Sequence, residues 1–358
     1  MEGRRMPGPT VSYRNLLVVA AFIFLLPIWA RLVPGSALHF DIVNLMVLAG
    51  IYAFAVIGLN LLVGYAGQVS LGHAAFFGIG AYTTAILCTR FAWFPTWLGV
   101  LFGALLAGVA GLLIGIPVLR LKGNYLAIAT LAFGEISYIF FRQSGITGGT
   151  VGITRIPPFS MFGFSFDSDL RFFFLVWICV MVLMLLTINI IQSRVGRALR
   201  ALHSSEVAAD AMGVNTGRYK TKAFVLSAVF AGLGGALFAH FQRYINPESF
   251  MLTISILFLT MVVIGGMGNI WGALVGAISL TFLPEVIRAL PQWIPGLPEG
   301  LANFNNYVLV LYGLLLMVFM IFMPQGMTVG LARGVSYGEM QAKRLKDRIR
   351  ARKFSRGE

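Results

Sequence analysis

The chain has 358 residues, of which 58% are hydrophobic and 11% charged, and its mean hydropathy is +0.84. Soluble domains carry about 25% charged residues, so this chain cannot cover a globular surface with polar groups, and a water-soluble fold is excluded. The net charge of +14 does not indicate nucleic-acid binding, because the basic residues cluster in short segments beside apolar runs, as in membrane proteins.

The N-terminal segment, residues 1–13, is polar, carries Arg4 and Arg5, and precedes an apolar run at residues 16–30. A secretory signal peptide has a similar layout. Because the run is long and the rest of the chain is equally apolar, we interpret it as a retained first transmembrane span.

The apolar runs predict an all-α polytopic membrane protein. A transmembrane helix needs about 20 mostly apolar residues, and ten runs meet this condition within a transmembrane domain at residues 14–330. The very short connections after the second and eighth runs also allow a broken or re-entrant element there. The ten predicted spans are 14–32, 42–63, 70–89, 97–119, 124–141, 171–191, 222–241, 250–267, 270–290 and 304–323.

The basic residues predict the orientation of these spans. With the N-terminus in the cytoplasm, ten spans place the loop at 192–221 and the basic tail at 331–358 inside, and the segment at 142–170 outside in the periplasm. The tail alone contains nine Lys or Arg. Cytoplasmic loops carry an excess of such residues, so the charges favour two cytoplasmic termini. Eight spans satisfy the same parity.

Two glycine segments resemble each other. Gly64 and Gly67 follow one apolar run, Gly265 and Gly268 follow another, and each pair precedes a further apolar run with spaced glycines. Transporters are often built from internal repeats with glycine-interrupted helices near the substrate path. The likeness is therefore either an internal repeat or a chance similarity between glycine-rich spans, and the sequence does not favour one of these explanations.

Three motifs of soluble enzymes are absent from the sequence. There is no G-x-x-x-x-G-K-[ST] phosphate loop, no HExxH and no CxxC. The four histidines are scattered and predict no metal site, and no nucleophile and base can be paired. We therefore predict neither catalytic nor metal-binding residues, and a transport protein must obtain its energy from an ion gradient or from a partner.

The loop at 192–221 predicts a short helix that ends at Gly213, a residue suited to the left-handed conformation that terminates helices. His203, Glu206 and Asp210 have the spacing of a single polar face. A small apolar surface lies largely opposite, formed by Val207, Ala208, Ala211 and Met212. Such a helix either lies on the membrane surface or presents close-contact positions to another protein.

The spacing Val207-Ala208-Ala209, three residues, then Gly213 resembles the coupling signature Glu-Ala-Ala-x-x-x-Gly of ABC importer permeases, with valine in place of the usual glutamate. Several other segments, in consistent order over about residues 40–330, resemble the branched-chain amino acid importer permeases of the LivM type. They are NLLVGYAGQVSLGHAAFFGIGAY (60–82), LKGNYLAIATLAFGEI (121–136), TGGTVGI (147–153), AHFQRYINPESF (239–250), IGGMGNIWGALVGA (264–277) and PQG (324–326).

This resemblance implies a subunit of a bacterial inner-membrane ABC importer. Its expected partners are a paralogous permease, two ATP-binding subunits that hold ATP and Mg²⁺, and a periplasmic substrate-binding protein, with no cofactor in this chain. A branched-chain amino acid is the expected substrate. Urea importer permeases look similar in these segments, so urea or a short amide is the alternative, and an ion-coupled secondary transporter is the alternative from another class.

The resemblance also implies candidate site residues. The expected contacts with an ATP-binding subunit are His203, Glu206, Val207, Ala208, Ala209, Asp210 and Gly213. Polar residues at membrane depth usually face a cavity or another helix, so the translocation path is predicted among Gln68, Ser70, His73, Asn124, Thr130 and Glu135, with structural hydrogen bonds as the alternative role.

Glycines suggest two further contacts. Gly268, Gly272 and Gly276 recur at every fourth position, which predicts one closely packed helix face. The glycines of 147–153 predict a tight outside loop, which is either a docking point for the binding protein or a simple turn.

Overall fold

The computed structural model describes residues 42–91, 93–121 and 123–293, with a few helical positions between 310 and 327. In this part of the chain ten α-helices follow one another, and a π-helical segment, Leu61–Tyr65, continues the first of them. The helices are α1 (Ile42–Asn60), α2 (His73–Arg90), α3 (Thr96–Val118), α4 (Asn124–Gln143), α5 (Asp169–Gln192), α6 (Arg194–Ser204), α7 (Glu206–Ala211), α8 (Thr216–Gln242), α9 (Leu252–Gly265) and α10 (Ile270–Trp293).

Eight of the ten predicted spans correspond to helices, namely α1 to α5 and α8 to α10. Seven helical segments in the described residues are long and apolar enough to cross a membrane, and α2 is the exception. Helix α2 is buried on almost all sides, so His73, Tyr82 and Thr84 lie inside the bundle, and only Thr89 and Arg90 at its end are exposed. The predicted spans 14–32 and, for the most part, 304–323 lie outside the described residues, as do segments 1–13 and 331–358.

Helix α8 lies at the centre of the bundle and packs against α1, α2 and α3. Small residues allow this close approach, as is typical of membrane helices. A Cβ atom added at Gly80 would overlap the backbone of Gly232, and one added at Gly235 would overlap the carbonyl of Phe77. The core therefore depends on backbone-to-backbone contact at glycines.

The bundle has two distinct ends. At one end, called the hairpin side, β1 (Ser160–Met161) pairs antiparallel with β2 (Phe164–Ser165). The loop at 147–153 packs there against the end of α8, through the bridge between Ile153 and Ile245. The other end, called the α7 side, contains α6, α7 and the first turns of α8.

Candidate functional site

Two interruptions of helical structure meet inside the bundle. The first break, residues 67–72, separates α1 and its π-helical extension from α2, and the second break, residues 266–269, separates α9 from α10. Each glycine segment noted in the sequence thus joins two helices. A Cβ atom on Gly64, in the π-helical segment that leads into the first break, would overlap the backbone nitrogen of Gly268, so this part of the chain is in direct contact with the second break. We call residues 64–72 and 266–269 the paired breaks.

Asn60, the last residue of α1, is hydrogen-bonded to the second break. Its side-chain nitrogen donates to the carbonyl of Asn269 at 2.7 Å, and its side-chain oxygen accepts from the backbone N–H of Gly268 at 2.9 Å. The chain reverses here through left-handed backbone, with φ of +67° at Gly67 and +75° at Gly268. The Asn60 side chain therefore satisfies the N–H of Gly268, which no helix bonds, and adds a second donor to the Asn269 carbonyl, which also accepts from Ala273.

A buried polar cluster surrounds the start of α2. The ring nitrogens of His73 lie 3.0 Å from the Ser70 hydroxyl and 2.6 Å from the Ser227 hydroxyl of α8. The Thr130 hydroxyl of α4 accepts from the N–H of Leu71, and the Ser255 hydroxyl of α9 accepts from that of Ala74. Helix N-termini leave such donors without helical partners, so this cluster anchors the start of α2 to three other helices.

The structure brings together only some of the residues predicted to line a path. Ser70, His73 and Thr130 share the buried cluster, where their polar atoms have partners within the chain. Gln68 lies in the first break and donates to the carbonyl of Ala66. This geometry favours a structural role for the three clustered residues.

Asn124 and Glu135 lie away from the cluster. Asn124 is exposed at the start of α4, and Glu135 is partly buried further along the same helix. Glu135 has no hydrogen bond or ion pair with any other residue that the structure describes. Helix α4 is also the least buried of the seven candidate spans, and it exposes Tyr125, Ile128, Ile136 and Phe140.

The predicted single helix at the loop is two helices. Ser205 is extended, with φ of −164° and ψ of 116°, so His203 lies in the last turn of α6 while Glu206 begins α7. The expectation that His203, Glu206 and Asp210 share one helical face is therefore wrong. The break arises because the Ser205 hydroxyl caps the start of α7 by accepting from the N–H of Ala208.

Helix α7 presents a small apolar surface. Val207 is 76% exposed and Met212 is 84% exposed, and Ala208 and Ala211 are exposed with them. We call these four residues the α7 surface. Ala209, by contrast, is only 3% exposed and packs inward, and Gly213 ends the turn at φ of +81°.

The two acids of this region are engaged within the chain. Glu206 forms an ion pair of 2.7 Å with Lys220 of α8, whose side chain is 3% exposed. Asp210 accepts from the hydroxyl of Thr216 at 2.8 Å. Both acids are among the expected contacts of an ATP-binding subunit, and these bonds within the chain fix α7 to the start of α8.

Helix α6 connects this surface to the paired breaks. It packs against the π-helical segment, and an atom added at Gly67 would stand 2.9 Å from the His203 ring nitrogen Nδ1. A displacement of α6 therefore acts directly on the first break.

The predicted glycine face on α10 is only partly helical. Gly272 and Gly276 pack against the backbone of α9, at Gly265 and Met261. Gly268 precedes the helix, which begins at Ile270, and it contacts Gly64 instead. The four-residue spacing of the glycines did not reveal that the helix begins after Gly268, because glycines occur both in the helix and in the break before it.

Sequence reasoning missed Asn60, Ser227 and Lys220, each of which completes one of these contacts. Asn60 was detectable, because it is a lone amide at the end of a long apolar run and such residues usually bond to a neighbouring segment. Ser227 and Lys220 had no comparable signal, since their partners are more than ten positions away in the chain.

Comparisons with known proteins agree with this architecture. Residues 41–338 match the family described as "Branched-chain amino acid transport system / permease component". The chain is similar to the "High-affinity branched-chain amino acid transport system permease protein LivM" of Escherichia coli strain K12, with 36% identity over 89% of this chain and 76% of the relative. The protein of the same name from Salmonella typhimurium strain LT2 is 34% identical over the same shares.

A second permease type is more distantly similar. The "High-affinity branched-chain amino acid transport system permease protein LivH" of Salmonella typhimurium strain LT2 is 28% identical over 66% of this chain and 82% of that protein. No solved structure matches the chain.

Proposed function

The chain belongs to the family of branched-chain amino acid transport permease components, and from this premise we propose that it is a permease subunit of an ATP-driven importer for leucine, isoleucine and valine. The observation that carries the proposal is the 36% identity over 89% of the chain to a permease of that name. Members of this family are transport subunits, so the chain is a multi-pass membrane protein and not an enzyme.

A paralogous permease is the proposed partner inside the membrane. Both permease types among the relatives are similar to this chain, which is consistent with two related subunits that pack together. Helix α4 is the proposed contact, because it exposes large apolar side chains beside Glu135, a carboxylate with no partner in the described residues. A charged group in a span normally faces protein or a cavity and not lipid, so we place the translocation path along α4 between the two permeases.

ATP-binding subunits are the proposed partners at the α7 side. The α7 surface offers small side chains at which another protein can approach closely, and the ion pair between Glu206 and Lys220 fixes its position. ATP and Mg²⁺ would bind to those subunits. Contact through α6 would then carry their motion to Gly67 and the paired breaks.

The proposed topology has ten spans with both termini in the cytoplasm of a bacterial inner membrane. Its support is the basic character of the 192–221 loop and of the tail at 331–358. The hairpin side then faces the periplasm, where the loop at 147–153 would meet a substrate-binding protein.

Reconstitution of the chain with its co-encoded partners tests the function. Labelled leucine and labelled urea are offered separately to proteoliposomes, with and without ATP and the binding protein. We expect leucine uptake that requires both ATP and the binding protein. Urea uptake under the same conditions would reject the substrate, and uptake that needs only a proton gradient would reject the ATP-driven class.

A further inference from the structure

An open groove lies at the α7 side of the bundle, outside the paired breaks and the α7 surface. Its volume is about 700 Å³, within the range of roughly 300–1,000 Å³ that small-molecule sites occupy. Helices α3, α5, α6 and α8 form its walls. Most of the wall is aliphatic, from residues that include Leu112, Ile116, Ile190, Leu199, Val225 and Val229.

One face of α8 changes character along this groove. Arg218 and Lys222 lie four residues apart at its mouth, and Val225 and Val229 continue the same face further in. The two cations are therefore stacked about 6 Å apart along the helix axis, above an apolar floor. This wall of the groove is therefore cationic at the mouth and apolar further in.

The two cations have no acidic partner at this site. No Asp or Glu is among the residues that line the groove. The nearby acids are engaged elsewhere, because Glu206 pairs with Lys220 and Asp210 accepts from Thr216. Arg218 and Lys222 are both exposed, and Lys222 lies over the ring of Tyr219.

The length of α8 places this mouth at the membrane surface. Its 27 residues span about 40 Å, whereas the hydrocarbon core of a bilayer is about 30 Å thick. The excess of about 10 Å, together with the long side chains of Arg218 and Lys222, which extend toward water, lets both cations reach the headgroup region while the apolar body of the groove lies beside the acyl chains.

We propose that this groove binds an anionic glycerophospholipid, with its phosphate between Arg218 and Lys222 and an acyl chain along Val225 and Leu112. Basic pockets between helices at the cytoplasmic surface are suited to such headgroups. The N-terminal segment of the chain is a poorer occupant, because Arg4, Arg5 and Arg14 would approach two cations of the same sign. The groove also reaches Leu61 and Leu199, so a bound lipid contacts both the π-helical segment and α6.

The test uses the full-length chain in detergent and dioleoyl phosphatidylglycerol or dioleoyl phosphatidylcholine with a diazirine in the acyl chain. Crosslinked peptides are mapped by mass spectrometry during lipid titration. We expect phosphatidylglycerol to label the groove segments of α3 and α8 at lower concentration than phosphatidylcholine. Equal labelling by the two lipids would overturn the proposal.

Charge and shape variants then separate the two parts of the site. Arg218→Gln combined with Lys222→Gln should weaken phosphatidylglycerol labelling of the groove about thirtyfold, since each basic residue near the surface contributes about fivefold. Val225→Trp should reduce labelling by both lipids, because it fills the groove. Arg142→Gln combined with Arg155→Gln, two charges at the hairpin side, should leave groove labelling unchanged. Undiminished labelling in the Arg218 and Lys222 variant would overturn the proposal.

A photoreactive benzoylphenylalanine at Leu112 identifies the occupant in the assembled importer. A lipid adduct supports the proposal. An adduct to residues 1–41 or to a partner subunit would show that protein fills the groove and would overturn it.

Discussion

The paired breaks and the α7 surface are both built from small residues, but these residues face opposite ways. At the breaks, Gly64 meets the backbone of Gly268, and the surrounding polar atoms have partners within the chain. At the α7 surface, Ala208 and Ala211 face outward while the acids beside them are engaged within the chain. The same residue types thus serve internal contact in one region and external contact in the other.

The difference shows where small size is required. At the breaks it is required by the fold, because no space exists for an added atom. On α7 the fold leaves room for larger side chains, so only contact with a partner would require small ones. Substitutions in the two regions should therefore separate stability from transport.

The largest effect is expected at the paired breaks. Gly64→Ala should prevent folding, because the added Cβ atom overlaps the backbone of Gly268, and the strain exceeds the roughly 1–3 kcal/mol of ordinary overpacking. The measurement is the monodisperse yield on size exclusion. Gly134→Ala on α4 is the matched control, since its Cβ atom meets nothing closer than 3.6 Å. Normal yield of the Gly64 variant would show that the breaks are not in contact.

On the α7 surface the expected loss is one of transport alone. Ala208→Arg should abolish ATP-driven uptake and change the free energy of unfolding by no more than about 0.5 kcal/mol, as is usual for exposed positions. Uptake and thermal unfolding are measured on the same preparation. Ala201→Arg, at an exposed position on α6, is the control. Native uptake in the Ala208 variant would contradict the docking assignment.

Asn60 provides an intermediate effect. Asn60→Leu removes both hydrogen bonds to the second break and should cost roughly 1–3 kcal/mol for the Gly268 N–H left unpaired, since the Asn269 carbonyl still accepts from Ala273. Thermal unfolding in detergent measures the loss. Asn124→Leu, which replaces an exposed asparagine at the start of α4, should have little effect. Equal stability of the two variants would contradict the role given to Asn60.

The smallest effect is expected at Glu135. Glu135→Gln should lower leucine uptake severalfold without changing stability, because this carboxylate has no partner within the described residues whose loss would affect folding. Initial uptake rates in proteoliposomes provide the measurement. Glu248→Gln, an exposed acid on the hairpin side, serves as the control. An unfolded Glu135 variant would assign this residue to the core.

The helical bundle could largely be read from the sequence, whereas the contacts of its site could not. Apolar runs locate eight of the helices because lipid imposes length and hydropathy directly on the chain. The extended Ser205 was missed because one capping serine outweighs a helical pattern that otherwise continues through it. His73 was a candidate for the translocation path with a structural role as the alternative, and only the fold shows that the hydroxyls of Ser70 and Ser227 lie against both of its ring nitrogens.

Helix α8 runs without interruption from Thr216, beside α7, to Gln242, near the loop at 147–153. It contains no proline and stays helical through Gly234 and Gly235, which contact the backbone of α1 and α2, so the structure shows no break between its two ends. Chemical events on one face of the bilayer should consequently reach the opposite face in a single kinetic phase. Time-resolved probes attached at the two ends of this helix would then report the same rate constant.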